Sequence, residues 1–252
     1  YSSRRQRQMC IRDRYNYCMS RDNRNSIQTR KISIETNVNL HAEGSVLVKF
    51  GNTHVICTAS IDNNVPRWMK GSDRGWVTAE YGMLPRSTNE RMGREAAKGK
   101  QSGRTQEIQR LIGRSLRQSV NLKYLKDKTI HVDCDVIQAD GGTRTASITG
   151  GCVALFLAIK NHHDDQRAIE QYVAAISLGV KDDEILVDLN YQEDSTADSD
   201  INVVMTQDLD LIEIQGTAEE RPFSKEQLTE IVDLASSSIK EIVDIQKQAL
   251  ER

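Results

Sequence analysis

The sequence predicts an α+β fold with two β-rich layers and packed helices. Several short segments in each half alternate apolar and polar residues, which is the pattern of strands. Each half also contains a stretch with apolar residues at helical spacing. Because each half combines a run of strands with a helix, the pattern favours α+β over a doubly wound nucleotide-binding fold.

The first half contains a predicted β-hairpin. Residues 45–50 and 53–59 are rich in β-forming side chains and flank Gly51 and Asn52, a pair typical of a tight turn. Ile32 and Ile34 alternate ahead of this hairpin. The other elements predicted in this half are strands over 76–81 and 129–138 and helices over 105–120 and 145–160.

The second half is predicted to consist of strands followed by one long helix. The strands are expected over 172–180, 185–189, 201–206 and 211–215. Ser224 begins a Ser-Lys-Glu-Gln run, which is a capping box at a helix start. Apolar residues then recur at helical spacing to near the end of the sequence.

The chain divides into a leader and two predicted domains. Residues 1–18 are Arg-rich and aperiodic, and we interpret them as non-native read-through sequence rather than an RNA-binding arm. The first domain is expected over 19–161 and the second over 162–252, because residues 161–168 are polar and unpatterned. Two adjacent histidines here, His162 and His163, could imitate metal ligands, but a solvated pair is favoured.

Charge and cysteine content exclude several classes of protein. The net charge of −2 argues against nucleic-acid binding by overall charge, although basic residues crowd 86–117 and leave a local basic surface possible. Five cysteines without a CxxC pair argue against a disulfide framework and a zinc site, and favour buried thiols in a reducing cytoplasm. No apolar run approaches the ~20 residues of a membrane span.

A long basic segment over 84–103 is the first candidate for function. A loop of this length inside a compact domain is usually functional or disordered. Its Arg, Lys and Gly residues suit contacts to the phosphates of a flexible polyanion, although a solvated charge run explains them equally well. Arg104 follows, just before the predicted helix, where its charge and free N–H groups can share one anion.

The second candidate is an anion-binding turn over 140–146. Gly141 and Gly142 follow a strand, and Thr143 and Arg144 stand where a small-residue helix begins. Glycine lets the backbone approach a ligand, and the helix start supplies unpaired N–H donors. Phosphate is therefore the first guess for the anion, while an ordinary Gly-Gly turn is the alternative.

The third candidate is an acidic loop that ends at a buried strand. Asp194 and Asp200 bracket a short connection, and Asp200 precedes the apolar strand over 201–205. Paired aspartates can hold Mg²⁺, or one of them can act as a general acid. A solvated acidic turn is the alternative. Together, the three candidates suit phosphoryl or nucleotidyl transfer, in which positioning and charge stabilisation supply the catalysis.

The sequence closely resembles ribonuclease PH from about residue 21 to the C-terminus. The shared motifs are HAEGS (41–45), VPR (65–67), GW (75–76), TAEYGMLPRS (78–87), GRT (103–105), IQR (108–110), DCDV (133–136), QADGGTRTASITG (138–150), NVVMT (202–206) and QGTAE (215–219). One departure is residues 21–24, which lack the proline and glycine of the family's opening and put the N-terminal contact there in question.

The resemblance implies a ribonuclease PH fold, with ribosomal-protein-like βαβ units, and a phosphorolytic 3′→5′ exoribonuclease. Such an enzyme trims tRNA precursors and other RNA 3′ ends, uses inorganic phosphate as co-substrate and releases nucleoside diphosphates. The resemblance also implies Mg²⁺ (or Mn²⁺) as cofactor and a cytoplasmic homo-hexamer built as a trimer of dimers. No membrane or DNA partner is expected.

The resemblance also assigns roles to individual residues. The expected phosphate ligands are Arg104, Gly142, Thr143 and Arg144, and the expected catalytic residues are Arg144, Asp194 and Asp200. The two aspartates are also the expected metal ligands, and RNA or subunit contacts are expected from Arg86, Arg91 and Arg94.

Two rival functions are a non-catalytic RNA-binding ring subunit of an exosome-like assembly and a small-molecule kinase. The presence of Arg104, Arg144, Asp194 and Asp200 together argues against the first. The lack of a GxxxxGK[ST] loop argues against the second.

Overall fold

The computed structural model describes Arg21 and residues 24–251, and the predicted leader over 1–18 lies outside these residues. Two sheets form the framework of the described part, which confirms the predicted α+β class. The first sheet has the order β1-β2-β3-β5-β4, in which only the β4/β5 pair is parallel. Its strands are β1 (Ile32–Thr36), β2 (Gly44–Phe50), β3 (Thr53–Asp62), β4 (Trp76–Met83) and β5 (Thr129–Gln138).

The predicted hairpin is confirmed by the β2/β3 pair. Phe50 pairs with Thr53 across the turn, and Gly51 adopts a positive φ of 55°. Glycine reaches this backbone conformation without the steric cost that a Cβ atom would add. The local turn signal therefore sets the register of the β2/β3 pair.

The second sheet is antiparallel, with the order β7-β6-β8-β9. Its strands are β6 (Val173–Lys181), β7 (Glu184–Val187), β8 (Ser199–Thr206) and β9 (Leu211–Ala218). The central strands β6 and β8 are buried along most of their length, whereas β9 forms an edge with mostly exposed residues. Because β6 and β8 are buried along most of their length, their sequences are mostly apolar.

Four α-helices join and cover the sheets in the described part. They are α1 (Gly103–Arg117), α2 (Thr143–His162), the short α3 (Tyr191–Asp194) and α4 (Lys225–Leu250). Helix α2 packs against β2 and β3 of the first sheet and β6 of the second. A helix enclosed in this way must be apolar on all sides, and α2 is buried from Thr145 through Ile159.

The start of helix α4 agrees with the prediction from the sequence, whereas the start of helix α1 differs from it. Ser224 and Gln227 form the predicted capping box of α4. Helix α1 begins at Gly103, two residues earlier than expected, with Ser102 as its cap. Arg104 therefore lies inside the first turn of α1 rather than ahead of the helix.

The segment over 161–168 is more ordered than its polar sequence suggested. Helix α2 continues through His162, and Gln166–Ala168 forms a 3₁₀ turn. The prediction of a solvated histidine pair is wrong for His163, which is buried and whose Nε2 donates to the carbonyl oxygen of Tyr124 at 2.9 Å. The domain boundary at this point stays a prediction.

Residues 24–251 contain no helix whose length and apolar content would allow it to cross a membrane. The same part of the chain contains no group of three or more His, Cys, Asp or Glu side chains arranged to hold a metal ion.

Candidate active site

A cleft of about 580 Å³ lies where the start of α2 meets the acidic loop and the first turn of α1. All of the phosphate and carboxylate residues singled out from the sequence line it. They are Arg104, Gly142, Thr143, Arg144, Asp194 and Asp200. The fold therefore brings together three segments that are far apart in the chain, and it does so with both cations and carboxylates in one cavity.

The glycine turn at the start of α2 has a backbone conformation that favours glycine. Gly141 and Gly142 have φ values of 74° and 63°. A Cβ atom on Gly141 would stand 2.3 Å from the carbonyl oxygen of Leu189, so no larger side chain fits. Gly142 is the N-cap of α2 and offers no side-chain cap, so the first-turn N–H groups are available to an anion.

The side chains of Thr143 and Arg144 are held in place by neighbours that sequence reasoning left without a role. The Tyr81 hydroxyl pairs with Thr143 Oγ1 at 2.8 Å. Arg144 Nη1 donates to Gln215 Oε1 at 2.6 Å, and Gln215 Nε2 in turn donates to Glu107. Burial raises the pKa of Tyr81, while its bond to Thr143 and two nearby arginine charges oppose the shift. The phenol therefore stays protonated, and its hydroxyl remains paired with Thr143.

Arg104 supplies the second cation of the cleft. It lies in the first turn of α1 and is exposed. Within the described residues it forms no ion pair with any carboxylate. Its guanidinium and the start of helix α1 both favour an anion at this point.

The two carboxylates line the same cleft as the arginines. Asp194 ends the short helix α3, whose capping box joins Asn190 and Glu193, and Asp200 is the second residue of β8. Although Asp194 keeps solvent contact, removal of water around its carboxyl group raises its pKa. The charge of Asp200 adds to this rise, and Arg104, Arg144 and Arg30 oppose it. The acidic pair thus carries a like-charge repulsion that a cation or a proton would relieve.

A buried ion pair behind the cleft was missed from the sequence. Arg30 Nη2 lies 2.7 Å from Asp188 Oδ1, and both side chains are almost fully buried. Burial works to lower the pKa of Arg30, but the hydrogen bonds and charge of Asp188 outweigh it and the net shift is upward. Arg30 also donates to the carbonyl oxygen of Asp140, at the base of the glycine turn. Nothing in the polar surroundings of Arg30 in the sequence marks it as buried.

A second missed contact joins the N-terminal segment to the acidic loop. Arg21 and Arg24 each approach Glu193 at 3.5 Å. Arg21 also donates to the carbonyl oxygen of Val187. The altered opening over 21–24 thus keeps two arginines against the residue that precedes Asp194.

The basic loop over 84–103 is mostly irregular, apart from a 3₁₀ turn at Glu95–Lys98. Its three singled-out arginines are exposed and do not line the cleft. Arg94 lines an adjoining cavity of about 720 Å³, which also includes Arg104. Arg86 and Arg91 line neither cavity, so their place is the outer surface.

Both halves of the chain match models of one protein family. Residues 28–160 match the RNase PH model, described as domain 1 of a 3′ exoribonuclease family. Residues 171–238 match the model for domain 2 of the same family. The first range contains Arg104 and the glycine turn, and the second contains Asp194 and Asp200.

Three solved structures have a similar fold. Rrp46 from rice (Oryza sativa) is 20% identical, with a TM-score of 0.76, and the match covers 92% of this chain and all (100%) of that one. An archaeal exosome core is 20% identical, with a TM-score of 0.74 and coverage of 93% and 94%. The Archaeoglobus fulgidus exosome with RNA bound to the active site is 20% identical, with a TM-score of 0.75 and coverage of 90% and 92%. These likenesses show the fold.

Proposed function

Because the chain belongs to the RNase PH family of 3′ exoribonucleases, we propose that it is a phosphate-dependent 3′→5′ exoribonuclease that trims tRNA precursors. One observation carries this proposal: a single cleft holds two arginines, a glycine turn at a helix start and two aspartates. The arginines and the backbone N–H groups of the glycine turn provide hydrogen-bond donors for an attacking phosphate and for the phosphoryl group that it attacks.

The proposed reaction exchanges one phosphate bond for another. Inorganic phosphate lies between Arg104 and the backbone N–H groups that follow Gly142, and one of its oxygens attacks the terminal phosphodiester of the RNA. The new P–O bond forms as the bond to the 3′ oxygen breaks, and Arg144 offsets the negative charge that builds on the phosphoryl oxygens. The departing 3′ oxygen takes a proton from a water molecule in the cleft, which balances the step.

The products would be a nucleoside diphosphate and an RNA shortened by one nucleotide. The bond broken and the bond formed have similar energies, so the reaction should run backwards when diphosphates are abundant. This reversibility separates phosphorolysis from hydrolysis.

The carboxylate pair fits a divalent cation. Mg²⁺ keeps several waters and commonly binds one or two protein carboxylates together with substrate phosphates. Asp194 and Asp200 supply that number of ligands, and their mutual repulsion favours a positive charge between them. We propose that these two residues hold Mg²⁺ or Mn²⁺, which would supply charge neutralisation for the phosphates.

Metal binding can be tested through stability, without an activity assay. A ligand that binds only the folded state raises the melting temperature. We expect millimolar Mg²⁺ to raise the Tm of the wild type but not that of Asp194→Asn or Asp200→Asn, as measured by differential scanning fluorimetry. An equal Mg²⁺-induced rise in all three proteins would contradict the assignment.

The same melting experiment without metal checks the direction in which the pKa of Asp194 is shifted. A carboxyl group whose pKa is raised on folding binds its proton more tightly in the folded state. It therefore lowers the stability of the protein as the pH rises from its unfolded-state pKa to its folded-state pKa. At neutral pH, Asp194→Asn should therefore be slightly more stable than the wild type. A loss of stability would mean that the carboxylate makes favourable contacts instead.

The proposed partners are tRNA precursors, other RNA 3′ ends and further copies of the chain. The exposed Arg86, Arg91 and Arg94 support a surface for RNA phosphates or for a neighbouring subunit. The archaeal neighbours belong to exosome assemblies, and one of them holds RNA at its active site. By analogy we propose a cytoplasmic ring, built as a hexamer of three dimers.

The decisive test incubates the protein with 3′-extended tRNA, with and without inorganic phosphate. We expect nucleoside diphosphates to appear only when phosphate is present. Nucleoside monophosphates, or release that does not depend on phosphate, would refute phosphorolysis. RNA binding without any release would favour the non-catalytic ring subunit.

A further inference from the structure

Ser177 is a buried polar residue of the cleft that no step of the proposed reaction uses. It lies on β6 and is only 6% exposed, yet it contributes to the cleft wall beside Leu178. Its carbonyl oxygen accepts from the N–H of Asp188 at 2.7 Å, so its backbone is fixed. Its hydroxyl Oγ has no hydrogen-bond partner among the described residues.

The position of this hydroxyl relates it to the glycine turn. Ser177 Oγ lies 3.3 Å from the point where a Cβ atom on Gly142 would stand. Gly142 carries no such atom, so the hydroxyl and the start of α2 border the same space. The polar side chains of Thr143 and Arg144 at this helix start are already paired, with Tyr81 and Gln215.

Buried hydroxyl groups in folded proteins almost always have a hydrogen-bond partner. Ser177 Oγ is itself buried but belongs to a residue that lines the cleft, so a ligand from outside the chain would supply the partner that the hydroxyl lacks. The ligand must be polar, and the neighbouring arginine charges and helix start select an anion.

We propose that Ser177 is a further ligand of the inorganic phosphate and that its Oγ hydrogen-bonds to one of the phosphate oxygens. This inference rests on the proposed function, because it assigns Ser177 to the phosphate site of that reaction. Unlike the arginines and the backbone N–H groups, a hydroxyl can also accept a hydrogen bond, so it can pair with the protonated oxygen of hydrogen phosphate.

The test measures inorganic phosphate binding by isothermal titration calorimetry, which needs no turnover. Ser177→Ala should weaken phosphate binding about tenfold, the loss expected for one hydrogen bond to a charged ligand. The matched control is Ser115→Ala, which removes a buried hydroxyl bonded to the Leu111 carbonyl oxygen at 2.8 Å in α1, away from the cleft. This control should bind phosphate like the wild type, and RNA affinity should be unchanged in both variants.

A kinetic measurement separates a phosphate ligand from a structural role. In the phosphorolysis assay, Ser177→Ala should raise the KM for phosphate about tenfold and leave the KM for RNA unchanged. Ser177→Cys keeps a weak donor of similar size, so it should fall between the wild type and the alanine variant. This second variant also keeps the test decisive if Ser177→Ala folds poorly.

The outcomes distinguish this inference from the proposed function. Unchanged phosphate affinity in Ser177→Ala, with active wild-type enzyme, overturns the role of Ser177 and leaves phosphorolysis standing. Weakened phosphate binding in Ser177→Ala, with no nucleoside diphosphate released by the wild type, supports the ligand and refutes the reaction. A wild type that binds no phosphate overturns the inference outright.

Discussion

Replacing Arg104 by alanine should lower phosphorolysis by about 100-fold or more, because the variant loses a cation aimed at the attacking phosphate. The residue lies in the first turn of α1, lines the cleft and forms no ion pair within the described residues. Its charge is therefore available to the substrate rather than committed to the fold. RNA affinity should stay within a few-fold of the wild type, since the expected RNA contacts come from the loop over 84–103. Turnover at saturating phosphate and filter binding of the RNA measure the two effects.

Arg114→Ala is the matched control for this substitution. Arg114 lies on the same helix and is exposed, but it pairs with Glu213 at 3.4 Å outside the cleft. Exposed ion pairs contribute little to stability, so this variant should retain both activity and RNA affinity. An equal loss of RNA binding and turnover in Arg104→Ala would place Arg104 on the RNA instead of the phosphate.

Breaking the buried Arg30–Asp188 pair should have the largest effect on stability. Asp188 has no exposed surface, and its carboxylate accepts from both the backbone and the guanidinium of Arg30. Removing one partner leaves a buried charge without compensation, which typically costs about 3–5 kcal/mol. We therefore expect Arg30→Met and Asp188→Asn each to lower the free energy of unfolding by about this amount, as measured by urea denaturation.

The double variant tests whether the cost comes from the unpaired charge. Arg30→Met combined with Asp188→Asn leaves no buried ion, so it should lose less stability than the two single losses added together. Since Arg30 also supports the turn at Asp140, the single Arg30 variant should bind phosphate more weakly as well. If each single variant lost less than about 1 kcal/mol in its free energy of unfolding, the pair would be dispensable for stability.

Local signals account for the parts of the fold that the sequence predicted correctly. The hairpin at Gly51 and Asn52 and the capping box of α4 each depend on a few neighbouring residues whose backbone preferences are known. The glycine turn at 141–142 is similar, because its positive φ values explain the residue type directly.

The supports of the site could not be predicted, because they join distant parts of the chain. Arg30 and Asp188 are 158 residues apart, and Arg144 and Gln215 are 71 apart. Periodicity describes which face of an element is buried, but it does not state which side chain of another element will meet it. Ser177 is a further case, since a lone serine in an apolar strand gives no sign that it borders a cleft.

The error at His163 has the same origin. Its polar neighbours suggested a solvated side chain, whereas the fold buries it against Tyr124, 39 residues earlier. A histidine whose Nε2 finds a carbonyl acceptor can be buried at little cost. The composition of a segment indicates its average exposure but not the exposure of one residue in it. The burial of His163 depends on its tertiary contact with Tyr124.

In the proposed reaction, inorganic phosphate and not water attacks the RNA. The most direct measurement incubates the protein with 3′-extended tRNA and ³²P-labelled inorganic phosphate and then separates the released nucleotides. We predict nucleoside diphosphates in which the label is in the terminal phosphate. Unlabelled nucleoside monophosphates would contradict the proposal.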